Sequence, residues 1–268
     1  MIVRFFVKKR AVFFEKARVV CNFAPMIQKQ FQRTQMLLGA AAMERLAACR
    51  VAVFGVGGVG GYVVEMLARS GVGAIDLIDN DTVSESNVNR QVIALMTCVG
   101  RPKVDVAEER ILAINPACVV RKHKMFYVPA RAHEIDLSVY DYVADCIDTV
   151  SAKLELVRQC TRLNVPLLCS MGAANKLDAT AFRVADSTKT SMDPIAKIMR
   201  KKLRREGIYH FKCVYSAEPP IEPREQAPEG EDPGTHHMVM GSNAFVPAAA
   251  GVVMGGAIIQ DLISPPAP

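Results

Sequence analysis

A four-residue apolar run, Val51–Phe54, passes without a break into Gly55, Gly57, Gly58 and Gly60, and the stretch that follows, GYVVEMLARSGVG, has the apolar spacing of an amphipathic helix. A buried parallel strand, a glycine-rich turn and a helix in that order form a ready phosphate site, because backbone N–H groups and the helix N-terminus face the anion with no side chain in the way. The next apolar run, Ala74–Ile78, ends in Asp79. An acid about 20 residues beyond the turn is placed to accept hydrogen bonds from ribose hydroxyls. The bland alternative is a tight turn with no ligand, and the strand before it, the helix after it and the acid at the next strand end all weigh against that.

Half of the 268 residues are hydrophobic and 22% are charged, so the bulk of the chain is expected to be a soluble globular protein with one large core. The eight cysteines are scattered, several inside apolar runs, and none forms a CxxC pair. That usage suits a reducing cytoplasm and argues against both a disulfide framework and a zinc site. The formal charge of +6 is clustered, which favours an anionic partner such as RNA. Residues 1–29 read as a basic N-terminal extension, ahead of a nucleotide-binding domain over 30–268. The first 25 residues are basic and apolar, but their charges interrupt every apolar run, so neither a signal-peptide core nor a membrane span is expected. An organelle-targeting segment, a surface-docked extension and a true start at Met26 all remain open, the last two being preferred.

From Gln30 to Leu46 the apolar spacing predicts one or two helices, and Arg33 lies in this arm. Residues 80–91, NDTVSESNVNRQ, have no helical or strand period. Loops of this kind sit at the carboxyl ends of strands, where open α/β sheets bind ligands, so Asn87, Asn89, Arg90 and Gln91 are candidates for a polar wall around phosphates; a solvated loop with a capping role is the alternative. Residues 100–116 predict a helix starting near Pro102, with Lys103 in its first turn. A cation there opposes the helix dipole unless an anion compensates. Strands are expected at 119–122, at 140–148 ending in Asp148, and at 165–171, with a helix over 151–164. Asp148 facing a triphosphate could hold Mg²⁺ through its oxygens, or cap the following helix, or both.

The alternation to this point predicts an α/β fold, a Rossmann-like, doubly wound and mostly parallel sheet, and the changed period at 179–185 predicts an antiparallel extension. Asp193-Pro194 opens a basic helix over 194–206 carrying Lys197, Arg200, Lys201, Lys202, Arg204 and Arg205, with no acid before Glu206. Unopposed cations at i,i+4 repel, which points to a polyanion, against the ordinary explanation of a solvated face. Residues 217–235, rich in Pro, Glu and Gly, are expected to be a mobile crossover loop. The apolar end beyond Pro247 reads as a glycine-broken helix closing one face of the core rather than a membrane segment.

Taken together, GVGGVG at 55–60, LIDNDTVSESNVNRQ at 77–91, GRPKVDVAEERILAINP at 100–116 and DCIDTV at 145–150 closely resemble the ubiquitin-activating-enzyme-like adenylyltransferases, the ThiF and MoeB group. Within that superfamily QRTQMLLG, TSMDPIAKIMRKKLR, CVYSAE and GSNAFVPAAAG resemble the branch that dehydrates threonylcarbamoyladenosine in tRNA. The resemblance implies that ATP and Mg²⁺ are bound, with Asp79 on the ribose and Asp81 as a second acid. It further implies that Asn87, Arg90, Gln91 and Lys103 hold phosphates, that Asp148 is the magnesium-associated aspartate, and that Arg33 reaches in from the partner of a homodimer. Implied partners are tRNA bearing threonylcarbamoyladenosine, held by Lys197, Lys201, Lys202, Arg204 and Arg205, and a sulfur-transfer protein. The paired CxxC motifs of the ThiF and MoeB branch are absent, so no structural zinc is expected, and no cysteine stands out as a thioester nucleophile, although Cys213 falls in a dehydratase-like motif. The rival readings are activation of the C-terminal glycine of a sulfur-carrier or ubiquitin-like protein, a dinucleotide-dependent oxidoreductase, and an idle nucleotide- and RNA-binding module. Arg90, Lys103 and Asp148 count against the oxidoreductase, because hydride transfer needs no triphosphate clamp.

Overall fold

The computed structural model describes residues 28–225 and 240–264. Most of the basic extension and the 226–235 part of the proline-rich loop therefore lie outside the described residues. A short 3₁₀ turn leads into α1 (Gln32–Leu38) and α2 (Ala40–Ala48), then β1 (Arg50–Phe54), α3 (Gly60–Arg69), β2 (Ala74–Ile78), α4 (Lys103–Ile114) and β3 (Val119–His123). The second half runs β4 (Tyr142–Asp145), α5 (Val150–Leu163), β5 (Leu167–Ser170), β6 (Phe182–Asp186), α6 (Pro194–Arg204), β7 (Lys212–Ser216) and α7 (Val246–Ile263).

The seven strands form one sheet in the order β3-β2-β1-β4-β5-β7-β6. Every pairing is parallel except β6 with β7. This is the doubly wound sheet with an antiparallel edge that the alternation of apolar runs predicts. β1, β2, β4 and β5 are near-continuous apolar runs because helices cover both of their faces. On one face α3 and α7 close a core with Val51, Val53, Leu67, Ile75 and Met254. On the other, α5 and α6 bury Leu154, Val157, Met199 and Leu203 against β5 and β7.

Several boundaries differ from the sequence expectation. β4 stops at Asp145, because the Asp145 carboxylate accepts the backbone N–H of Ile147 (3.2 Å) and turns the chain out of the sheet. Asp148 is consequently an exposed loop residue and not a strand end. Its carboxylate accepts from the Thr149 hydroxyl and does not cap α5, whose N-cap Thr149 makes no side-chain cap bond. Ala179–Ala181 is a 3₁₀ turn opened by Asp178, so the strand expected there begins at Phe182. β7, absent from the sequence reading, inserts between β5 and β6, with Cys213 opposite Cys169 and Val214 opposite both Ser170 and Val184.

α7 is unbroken, correcting the expectation of glycine interruptions. Gly251 and Gly255 face α3, where a Cβ on Gly255 would lie 2.5 Å from Met66 Cβ. Among the described residues α7 is long and apolar enough to cross a membrane by length and composition, and its buried residues pack onto α3 and the sheet. α6 opens as expected: Asp193 Oδ1 accepts the N–H of Ala196 (2.9 Å) and Pro194 takes the first helical position.

Candidate active site

In a sheet of this order the chain winds in opposite directions from β1 and β4, and the crevice outside their carboxyl ends is where such folds receive ligands. The glycine turn leaves β1 there. Gly55 has φ +85°, a conformation that L side chains avoid, and a Cβ on Gly60 would stand 1.8 Å from the Gly55 carbonyl oxygen. Those two glycines set the turn. Gly57 instead keeps the turn's outer surface bare, Gln91 Nε2 being the nearest atom to a Cβ there at 3.8 Å, whereas Gly58 makes room for Pro247, whose Cβ would be 3.2 Å from a Cβ on it. The N-cap of α3 is Val59, which offers no side-chain acceptor; the N–H groups of Gly61 and Tyr62 go to the Gly57 and Val59 carbonyls (2.9 and 3.1 Å), while those of Gly57, Gly58, Val59 and Gly60 have no acceptor among the described residues and are available to an anion.

Asp79 follows β2 and locks the turn in place: its Oδ2 accepts the N–H of Val56 (2.7 Å) and its Oδ1 the N–H of Asp81 (2.8 Å). Burial raises its pKa above the ordinary aspartate value, outweighing Lys103 and these two N–H groups, which pull the other way. Lys103 is the first residue of α4 and its side chain is 7% exposed; Nζ lies 2.7 Å from Oδ2 of Asp81, which is 56% exposed. Asp81 is thus the compensating anion that a cation at a helix N-terminus requires, and the pair leaves Asp81 half in solvent beside the turn.

The four candidate residues of the polar loop are in different states. Asn87 is buried and its Oδ1 accepts the N–H of Ser84 in a capping box. Asn89 Nδ2 donates to the Ser242 carbonyl (3.2 Å), joining the loop to the segment before α7. Gln91 is buried with Oε1 unpartnered among the described residues. Arg90 Nη1 donates to the Ser86 carbonyl and Asn89 Oδ1 (2.8 Å each), and its Cγ would be 3.6 Å from a Cβ on Gly58. No described carboxylate pairs with this guanidinium, and burial pulls its pKa below the usual arginine value. A half-buried cation with no carboxylate partner among the described residues, against the glycine turn, has the chemistry to receive an anion.

Asp148 lies in the loop that crosses this turn, two residues after Cys146, whose carbonyl would be 2.8 Å from a Cβ on Gly55. The sequence reading missed the buried pair that roots this loop, Lys153 Nζ to Asp145 Oδ2 at 3.0 Å; a lysine three residues after a helix start was its only signal. Arg33 is exposed on α1, two residues after Phe31, which packs at Gly71 beyond the end of α3 opposite the glycine turn, so the structure does not bring Arg33 together with the other candidate residues. Lys197, Lys201, Lys202, Arg204 and Arg205 lie on the exposed side of α6, away from the glycine turn, and none is paired with a carboxylate among the described residues. Arg200 separates from them, donating inward to the Ser187 carbonyl and Thr190 Oγ1.

Cys213 and Cys169 are fully buried in neighbouring strands, and burial pushes the Cys213 thiol up to about 12. Cys49 and Cys118 are pushed up to about 11 in the same way. These are thiols held neutral as small apolar groups, unsuited to thioester formation. No group of three or more metal-ligating side chains occurs among the described residues. A Mg²⁺ ion commonly needs only one or two carboxylates besides nucleotide phosphates, and the exposed Asp148 carboxylate, engaged by one hydroxyl, fits that role.

Sheet order, switch-point crevice and anion-accepting turn define a Rossmann-like nucleotide-site α/β protein. The chain belongs to the ThiF family, whose model matches residues 31–264. It is 46% identical over 240 residues to the tRNA threonylcarbamoyladenosine dehydratase of Bacillus subtilis, covering 87% of this chain and 94% of that one. The Escherichia coli enzyme of the same name is 38% identical over 205 residues, covering 74% and 76%. The crystal structure of E. coli TcdA in complex with AMP superposes with a TM-score of 0.79 at 34% identity, covering 88% of this chain and 94% of that one.

Proposed function

We propose that this chain is an ATP-dependent tRNA threonylcarbamoyladenosine dehydratase. One observation carries the reading: the likeness to the B. subtilis enzyme runs through 94% of that protein. It supports the whole-chain activity and not a shared nucleotide module alone. The site's chemistry agrees. The glycine turn and the first turn of α3 receive the phosphates of ATP, Asp79 accepts from the ribose, and Arg90 neutralises charge as pyrophosphate departs, with Lys103 turning from Asp81 to the same task. Asp148 would hold Mg²⁺, which when bound withdraws charge from the phosphate oxygens.

A carboxylate oxygen of the threonyl group attacks the α-phosphorus, the bond to the bridging oxygen of the β-phosphate breaks, and pyrophosphate leaves. In the resulting acyl-adenylate the ureido group of the same side chain attacks the acyl carbon. AMP departs with the C–O electron pair and the ureido group loses a proton, so the net change in the nucleoside is loss of water. No protein nucleophile is required, which accords with the buried, neutral thiols; positioning and electrostatics suffice. The reading extends to a cytoplasmic homodimer in which Arg33 serves the partner's site, to tRNA contact along α6, and to assistance from a sulfur-transfer protein.

The test is to incubate the purified protein with ATP and tRNA bearing threonylcarbamoyladenosine, with a sulfur-carrier protein as the parallel substrate. AMP formed in step with a loss of water from the modified nucleoside is the expected result. AMP formed only with the carrier protein overturns it.

A further inference from the structure

The stretch leaving β5, Gly172–Lys176, is a hub on which three other segments are hung. The N–H of Gly172 donates to Asp193 Oδ2 (3.0 Å), the N-cap of α6. The N–H of Asn175 donates to the Gly241 carbonyl, and its carbonyl accepts from the N–H of Ile221 (2.8 Å each). Asn243 Nδ2 donates to the Lys176 carbonyl (2.8 Å), and Asn243 Oδ1 accepts the N–H of Val246 at the start of α7 (2.8 Å). The same segment is fastened to the nucleotide crevice by Asn89 on Ser242 and by Pro247 against Gly58.

Polar groups lace the hub together internally and leave its large apolar side chains outside. Leu177, Met192, Ile221, Met240 and Phe245 are between 41% and 63% exposed. One exposed apolar side chain needs no explanation; five on adjoining, hydrogen-bonded segments make a patch. Met192, the most exposed, also has φ +58°, a left-handed conformation that a bulky residue adopts at a cost, immediately before the N-cap of α6.

The charge beside this patch narrows its partner. From Asp193 the 11-residue α6 runs about 16 Å down the side of the sheet, presenting Lys197, Lys201, Lys202, Arg204 and Arg205 outward. An apolar peptide would gain nothing from such a track. An RNA loop offers both matching surfaces, unstacked bases for the patch and phosphates for the cations.

We propose that the rim of Leu177, Met192, Ile221, Met240 and Phe245 seats the unpaired bases beside the target nucleoside, with Phe245 as the stacking platform, while α6 holds the adjoining stem. The proposal rests on the tRNA reading above and specifies which bases are gripped and by what. Phe245 is suited to this because its N–H donates to Asn243 Oδ1 (3.2 Å) and the residue two further on, Pro247, packs against Gly58 of the glycine turn.

The experiment uses the full chain and an anticodon stem-loop hairpin carrying threonylcarbamoyladenosine, with the fluorescent base 2-aminopurine beside it. Binding to the unsubstituted protein should quench the fluorophore. Phe245→Ala should weaken hairpin binding by about tenfold, raise the KM for the hairpin more than it lowers kcat, and abolish the quench. Phe245→Trp should restore all three, which a merely structural role would not explain, and melting curves check that both variants are folded. Unchanged hairpin binding by Phe245→Ala, or a quench that persists, overturns the proposal. Dissociation of an oligomer by Phe245→Ala also overturns it, since the patch would then be a contact between copies. A protein that shows the expected binding changes but dehydrates no tRNA refutes the proposed function and leaves the RNA surface standing. If Phe245→Ala fails to fold, Phe245→Leu is read by the same quench.

Discussion

Lys153 and Asp145 face each other across 3.0 Å with side chains 1% and 0% exposed, and the Lys153 ammonium also donates to the Ser170 carbonyl at 2.6 Å. One buried cation thereby ties the first turn of α5 to the carboxyl ends of β4 and β5, at the root of the loop that carries Asp148. Lys153→Met strands the Asp145 carboxylate in the core and should cost about 3–5 kcal/mol in chemical denaturation. Adding Asp145→Asn, which keeps an acceptor for the N–H of Ile147, should recover much of that loss.

The glycines of the turn should separate by role. Gly60→Ala drives a Cβ into the Gly55 carbonyl and should lower the melting temperature as well as ATP binding. Gly57→Ala meets no atom nearer than 3.8 Å, so its melting curve should match that of the unsubstituted protein while its ATP affinity falls. Calorimetric titration with ATP beside thermal melting distinguishes the two.

Arg90 and Lys103 should separate similarly. Arg90 has no carboxylate partner among the described residues, so Arg90→Ala should leave stability nearly unchanged while slowing pyrophosphate release by about 10²–10³-fold. Lys103→Ala breaks the pair with Asp81 and empties a buried position, so it should lose stability as well as rate.

Asp76 supplies a pH dependence unconnected with catalysis. Burial alone would push its carboxyl up, yet hydrogen bonds from Arg50, His123 and Tyr140 hold it below the ordinary value. A pKa lowered by folding contributes stability that is complete above the unfolded value, about 3.9, and is lost as the pH falls through the lower folded value. The stability advantage over Asp76→Asn should therefore be present at pH 7 and shrink below pH 4, as read by denaturant midpoints at each pH.

Neutralising Lys201, Lys202, Arg204 and Arg205 together should weaken tRNA binding and flatten its salt dependence, the slope of log K against log salt falling by about 0.7–0.9 for each phosphate that is no longer neutralised. Titrations at several salt concentrations check this; an unchanged slope would show that α6 presents only a solvated face.

The chain's own order of residues determined the doubly wound sheet, the glycine turn and the irregular polar loop at 80–91. These are local signals: an apolar run followed at once by glycines, an acid at the next strand end, a Ser/Asn-rich loop. Tertiary structure decided what depended on partners distant in sequence. β4 ends at Asp145 because a buried lysine from the next helix and a backbone N–H hold that carboxylate, and no pattern in DCID distinguishes it from a strand running to Asp148. β7 escaped notice because a short run such as KCVYS becomes a strand only when β5 and β6 flank it. Gly251 and Gly255 of α7 look like breaks until α3 lies against them, and the apolar rim around Phe245 exists only where four segments meet. Periodicity specifies elements through near-neighbour sterics and burial; which of their side chains end up inside, paired or left facing solvent is settled by packing between elements.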